Sequence, residues 1–374
     1  MLKGIYLTLM IGPAVPVVAP KPVVDALTSV QVTSSKERSG FQLTFSIAKN
    51  SLLLTTLLPA GFFDPIITRV VIIVTLNGVP QVLMDGLVTN QELSPSSDPG
   101  QSTLVITGED LSVAMSLVQK VIPYPGLTEQ AQVYAALAPY AALGIIPLVI
   151  PPIIPKTPDI ERKWYTQRST DRDFIKGLAT QCGYIFFVEP GPLPGQSIAY
   201  FGPDTNLPVP QPALSVNMDA LTNVETLSFS MDGLAKEIGI FTILVPDGGT
   251  FTVPIPVPNI DPFKPPLGLR PTPTVRVTFP TTAAGMSPDE AAQSIIGYLL
   301  NNKPAITANG SLDVMRYNGI LRARLLVGVR GAGIAYDGMY YVDSVTHNIK
   351  AGEYKQSFAL SRDGFIANTP LVLP

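Results

Sequence analysis

Along the first 110 residues apolar and polar side chains alternate in short runs, the two-residue period of a strand with one buried face. Leu27 to Thr33 and Phe41 to Ile47 carry that period most clearly, and Ile5 to Ile11 predicts a first strand ahead of them. Ile66 to Leu76 meets Val79 to Leu83 across Asn77-Gly78, two residues that accept the positive φ of a tight turn. A hairpin is predicted there. Thr103 to Thr107 alternates again, and after Gly108-Glu109-Asp110 the period changes. Leu111, Ala114, Met115 and Val118 recur at helical spacing, which predicts a short helix closing the unit.

The middle of the chain reads differently. Pro123-Tyr124-Pro125-Gly126 opens an uncharged segment from Gln130 to Pro155 that is long enough to span a bilayer. It carries Pro139, Pro147, Pro151 and Pro152, which would leave backbone groups unpaired in hydrocarbon, so packing on protein is expected instead of stable membrane insertion. Thr170 then sits where its hydroxyl can cap a helix, with Asp173 three residues on, and Phe174, Leu178 and Cys182 form one stripe before Gly183. Cys182 is read as core. From Leu214 strands return, interrupted from Pro246 to Pro273 by prolines too dense for a regular ladder, which predicts an extended arm. Ser287-Pro288-Asp289-Glu290 opens a helix, and Leu312 to Tyr317 and Ile320 to Val327 flank a second Asn-Gly pair that predicts a second hairpin.

These runs give a mainly β protein with a few short helices, in an α+β arrangement. The predicted division is a β unit over 1–121, a mixed α/β connecting region over 122–213, and a second β unit over 214–364. The Pro-rich insertion, about 246–310, contains one helix, and a tail covers 365–374. The two β units echo each other. Asp85-Gly86, Val88-Thr89-Asn90, Gly100 and the run Ser102 to Thr107 recur in order as Asp337-Gly338, Val345-Thr346-His347, Gly352 and Tyr354 to Leu360. Duplication of one unit is expected.

Composition sharpens this picture. Apolar residues make up 46% and charged residues 14% of 374, so little charge is spread over the surface, and contact with protein partners is expected. The net charge of −3 provides no basic field for a phosphate backbone, which argues against nucleic-acid binding as a main activity. One cysteine permits no intrachain disulfide, and with His347 as the sole histidine a His/Cys zinc site is excluded. The apolar run from Gly4 to Ala19 is broken by Pro13 and Pro16, so a strand is expected there and no signal peptide.

Catalytic chemistry finds little footing. A histidine-activated serine would have to use His347, and Asp343, four residues away, could share its strand face. Many pairs share a face in any alternating strand, and no serine lies in a G-x-S-x-G elbow, so a structural histidine is the expectation. Gly328, Gly331 and Gly333 have the wrong spacing for a dinucleotide fingerprint and read as a bulge or bend. No phosphate loop, EF-hand or aspartic-protease motif is present. The chain is therefore expected to have no catalytic, cofactor-binding or metal-binding residues.

The C-terminal run is the most distinctive part. Gly331-Ala332-Gly333, Tyr336-Asp337-Gly338-Met339-Tyr340-Tyr341-Val342, Ser344-Val345-Thr346-His347, Gly352-Glu353-Tyr354 and Phe358 to Gly364 resemble the signature of late control D proteins, the baseplate hubs of contractile phage tails and injection systems. Asp25-Ala26-Leu27, Gly40 to Phe45, Asp171 to Ile175 and Cys182-Gly183-Tyr184 resemble that family too. The resemblance implies structural roles for Gly331, Gly333, Asp337, Gly338, Tyr340, Tyr341, Val345, His347, Gly352 and Tyr354. It also implies two tube-like β-barrel units, a homotrimer, and partners in the inner tube protein, a separate spike protein and other baseplate components. Assembly in the bacterial cytoplasm and incorporation into a particle follow from it. The competing expectation from strand content and low charge is a β-sandwich adhesin or carbohydrate-binding module.

Overall fold

The N-terminal alternating runs fold into strands whose ends lie within about three residues of the predicted limits, except that the strand predicted over Val79 to Leu83 continues to Ser94, and Val17–Val18 forms a short strand not predicted from the pattern. In the computed structural model, which describes residues 4–368 apart from 14, 37, 99–100, 154–164, 206–209, 246–250, 259–263, 280–287 and 301–302, they are β1 (Ile5–Pro13), β2 (Val17–Val18), β3 (Leu27–Ser35), β4 (Gly40–Ile47), β5 (Thr68–Leu76), β6 (Val79–Ser94) and β7 (Ser102–Asp110). Asn77 (φ 50°) and Gly78 (φ 84°) make the predicted turn between β5 and β6, with Leu76 opposite Val79. β5 is buried on both faces: Val70, Ile72 and Val74 enter the main core, while Val71 and Ile73 join Val82 in a small cluster behind it. A helix not predicted from periodicity, α1 (Lys21–Ala26), starts after Pro20 and buries Val23. The helix predicted after Asp110 is a 3-10 turn over Leu111–Ser116, ending before the exposed Val118.

The middle region has its own core. β8 (Ile122–Tyr124) pairs with β10 (Tyr165–Gln167), and β9 (Ile145–Val149), β12 (Ser197–Gly202) and β11 (Ile185–Pro190) form a three-stranded sheet beneath α2 (Glu129–Leu137) and α3 (Asp171–Cys182). Thr170 Oγ1 accepts the Asp173 N–H at 3.2 Å and Gly183 ends α3 at φ 70°, as the capping pattern predicts. Cys182 is buried in this core. So are Val133, Ala136, Leu137, Ile145 and Val149 of the uncharged segment, whose Tyr134, Ile146, Leu148 and Ile153 are exposed, while its last two residues lie outside the described ones. No described helix is long and apolar enough to cross a membrane.

The second unit comprises β13 (Pro210–Ser215), β14 (Val224–Met231), β15 (Glu237–Val245), β16 (Phe251–Pro258), β17 (Gly268–Arg270), β18 (Arg276–Thr278), α4 (Pro288–Leu300), β19 (Ile306–Asp313), α5 (Val314–Tyr317), β20 (Leu326–Arg330), β21 (Gly338–Lys350), β22 (Glu353–Arg362) and β23 (Phe365–Ala367). Two expectations are corrected here. Asn318-Gly319 makes no hairpin: Asp313 caps α5 by accepting from the Met315 and Arg316 N–H groups, and Asn318 (φ 54°) ends it. The same tolerance of positive φ suits a helix end and a hairpin turn alike. The proline-dense arm is also partly a ladder. β16 pairs with β15 from Phe251 to Pro258, because Pro254, Pro256 and Pro258 fall at alternating positions and all place their missing N–H on one edge. Ser287, the predicted cap of α4, lies outside the described residues.

Among the described residues, thirteen strands join in one sheet, in the order β14-β19-β22-β21-β3-β4-β7-β6-β5-β1-β2, with β20 and β13 branching from β21. The order contains the same arrangement twice. β3-β4-β7-β6-β5-β1 of the first unit matches β14-β19-β22-β21-β20-β13 of the second, strand for strand in chain order. Four of the five pairings agree in sense, and the fifth differs, since β1 runs antiparallel to β5 and β13 parallel to β20. β6 and β21 each carry a bulge facing the last strand, between Val88 and Asn90 and between Val342 and Ser344. The insertion with β15, β16, β18 and α4 replaces the tight β3-β4 connection. Neither unit closes on itself among the described residues: the units share one open sheet and one continuous core.

Candidate functional site

The two units meet at a seam between β21 and β3. β21 has 13 residues, enough for its first part to pair β20 from Gly338 to Tyr341 and its second part to pair β3 from Ser344 to Lys350. Seven antiparallel pairs run from Ser344 opposite Ser35 to Lys350 opposite Ser29. Beneath them Val345 and Ile349 lie with Val30 and Val32 in the shared core, and the Thr33 and Thr346 hydroxyls lie 3.2 Å apart across the seam. The seam is thus a hydrogen-bonded ladder over a shared apolar core.

The residues singled out in the C-terminal run fall into three groups around this seam. Gly331 (φ 85°) and Gly333 (φ 94°) turn the chain between β20 and β21, and Asp337 closes that turn by accepting from the Ala332 N–H at 2.8 Å. A Cβ at Gly331 would lie 1.9 Å from the Val216 carbonyl oxygen, so only glycine fits. Gly338 abuts Ala367, and Gly352 (φ 81°) turns β21 into β22. Tyr340 is buried and donates to the Tyr336 carbonyl at 2.8 Å, with the Arg362 guanidinium 4.5 Å from its ring.

The second group is His347, Tyr354 and Gln356. His347 Nδ1 lies 2.7 Å from the Tyr354 hydroxyl and 3.2 Å from the Gln356 amide, which also bonds both backbone groups of Leu321. Burial, with Arg322 adding to it, pushes the imidazole down to about 3, so it is neutral at physiological pH. The pair of His347 with Asp343 that the spacing allows does not form, in keeping with the expected structural histidine. The bulge shifts Asp343 out of the alternation, and its charged neighbours are Lys36, Lys264 and Asp204.

The third group could not be found from spacing, because its members come from distant parts of the chain. Tyr341 donates to Asp204 at 2.7 Å, and the same carboxylate pairs with Lys36 and Lys264. Burial opposes ionisation of Asp204, and the two ammonium groups outweigh it, holding the carboxyl below its ordinary value. Nearby, Arg324 stacks on Phe187 at 3.9 Å and reaches Glu189 and the Ser35 carbonyl, which ties the second unit to the middle region and to β3. Arg324 and Tyr341 line a cavity of about 400 Å³ with Ser34, Phe187, Asp204 and His347. No group of His, Cys, Asp or Glu among the described residues is arranged to hold a metal ion. The charged groups that line the cavity tie β3, the middle region and the second unit together.

No family model and no curated protein matches the sequence. Solved structures do. A tail protein from Neisseria meningitidis is 13% identical, with a TM-score of 0.59 over 96% of this chain and 97% of its own. The 43 kDa tail protein of prophage MuSo2 from Shewanella oneidensis is 15% identical, with a TM-score of 0.58 over 96% and 98%. An E. coli component of the type VI secretion system, itself similar in structure to T4 bacteriophage tail proteins, is 13% identical, with a TM-score of 0.51 over 93% and 77%. Over nearly its whole length, the chain has the fold of phage tail proteins and of that secretion component.

Proposed function

We propose that the chain is a structural baseplate hub of the late control D type, which as a homotrimer joins a six-fold inner tail tube to a three-fold spike. The observation that carries this reading is the duplicated six-strand unit, set side by side within one chain through the β21–β3 ladder. Three such chains present six similar units, the number a six-fold tube needs, and three connecting regions for a three-fold spike. A closed ring satisfies every head-to-tail contact, which makes it the favoured way to assemble such a chain. The fold shared with tail and secretion-system proteins supports a place in a particle of that kind, assembled in the bacterial cytoplasm. Catalysis has no part in this reading, in which Asp204, Lys36, Lys264 and Arg324 serve to hold elements together.

Co-expression of the chain with candidate tube and spike proteins tests the proposal. Purification through a tag on the spike should recover this chain at three copies per spike trimer and carry the tube protein with it. Failure to associate with either, or recovery of two copies, would overturn it.

A further inference from the structure

The match between the units extends to register, and it leaves one edge on each unit without its counterpart. Through the ladders with β7 and β22, Val88 opposite Gly108 corresponds to Val342 opposite Leu360. Gln91 then corresponds to Val345, and Leu93 to His347. Through the ladders with β4 and β19, β3 matches β14 so that Val30 and Val32 correspond to Leu227 and Phe229, and Ser34 to Met231. The alternation agrees, since Val30 and Val32 are buried and Leu227 and Phe229 pack against the same core.

Within the chain, the second half of β21 is covered by β3. Its counterpart, the second half of β6, pairs only with β7: β5 stops covering β6 at Leu87, and Asn90 to Ser94 are exposed. β14, the counterpart of β3, pairs with β19 and ends the sheet, with no described strand on its other edge. Leu93 and Met231 are exposed apolar residues on these two edges. One chain therefore carries the two halves of the seam it has already made once.

We infer that the second half of β6 pairs antiparallel with β14 of a second copy of this chain, in the register of the β21–β3 seam. That register sets Gln91 opposite Met231 and Leu93 opposite Phe229, just as Val345 faces Ser34 and His347 faces Val32. It covers Leu93 with an aromatic ring. It also puts the one carboxylate on each edge, Glu92 and Glu225, out of register with the other, Glu92 facing Ser230, so no like charges meet. The inference rests on the trimer reading and adds to it which edges meet and at which residues.

The test uses the full chain with Gln91→Cys and Met231→Cys, both at exposed positions, while the native Cys182 is buried. Native mass measurement of the unaltered chain, and of each variant before oxidation, gives the oligomeric state. Thermal melting matched to the parent shows that each variant folds. Mild oxidation of the double variant should give covalently closed trimers on a denaturing gel. The single variants, and Glu92→Cys with Met231→Cys, which places the thiols on opposite faces, should not link. A trimer in the mass measurement without the 91–231 link would overturn this edge assignment and leave the trimer reading standing. Monomers or dimers with no link would overturn both.

Discussion

At the residue scale, the groups around the seam respond to pH in separable ways. His347 has a folded value near 3 against an ordinary 6.5, so the unfolded chain binds its proton first. Its contribution is full above 6.5 and is lost as the pH falls from there towards 3, with a slope of about 1.4 kcal/mol per pH unit at most. His347→Gln, which can still accept from Tyr354, should flatten the dependence of the denaturation midpoint between pH 6.5 and 5. An unchanged slope would mean that the imidazole is not held neutral by the fold. Asp204 is depressed in the folded state, so its contribution is present above the ordinary carboxylate range and lost only in stronger acid, as pH falls through its folded value. Asp204→Asn leaves Lys36 and Lys264 facing each other and should cost about 3 kcal/mol at neutral pH, the low end for a broken buried pair because both lysines reach solvent. Urea denaturation measures this, and a loss under about 0.5 kcal/mol, the size of an ordinary surface substitution, would remove the cluster from the account.

At the element scale, the alternating runs were legible because a half-buried strand needs little beyond its own pattern. β3, β4, β5 and β7 start and stop near the predicted limits, and the Thr170 cap and Gly183 stop fix α3. The errors came where one local signal serves two structures. Asn77-Gly78 turns a hairpin because pairing strands flank it; Asn318 ends a helix because Asp313 has already capped one. In β16 the spacing of the prolines mattered, not their density, since alternate positions leave one edge free to pair. The turn assignment predicts a contrast. Gly78→Ala, at φ 84°, should cost about 1 kcal/mol or more, whereas Gly319→Ala, whose φ is not positive, should change stability by less than about 0.5 kcal/mol. Equal costs would contradict the assignment of the two turns.

At the scale of the whole molecule, the duplication was visible in the sequence as order and blurred in detail. The run Ser102 to Thr107 does lie where Tyr354 to Leu360 lies, in β7 and its counterpart β22. The sequence echo, however, sets Asp85 against Asp337, while strand register sets Asp85 against Met339. Turn residues had drifted independently of the ladders: Asp85 forms a buried two-bond pair with Arg69 in β5, and Asp337 closes a turn. The third group of seam residues was invisible for the same kind of reason, since Lys36, Asp204, Lys264 and Tyr341 meet only after both units and the connecting region have packed. Electron microscopy of the chain bound to the candidate spike protein is the sharpest check on the proposed ring. Views down the axis should show three chains of 39.9 kDa in a closed ring, with six similar lobes around an open centre. A two-fold particle, or a three-fold ring whose lobes number three, would contradict the account.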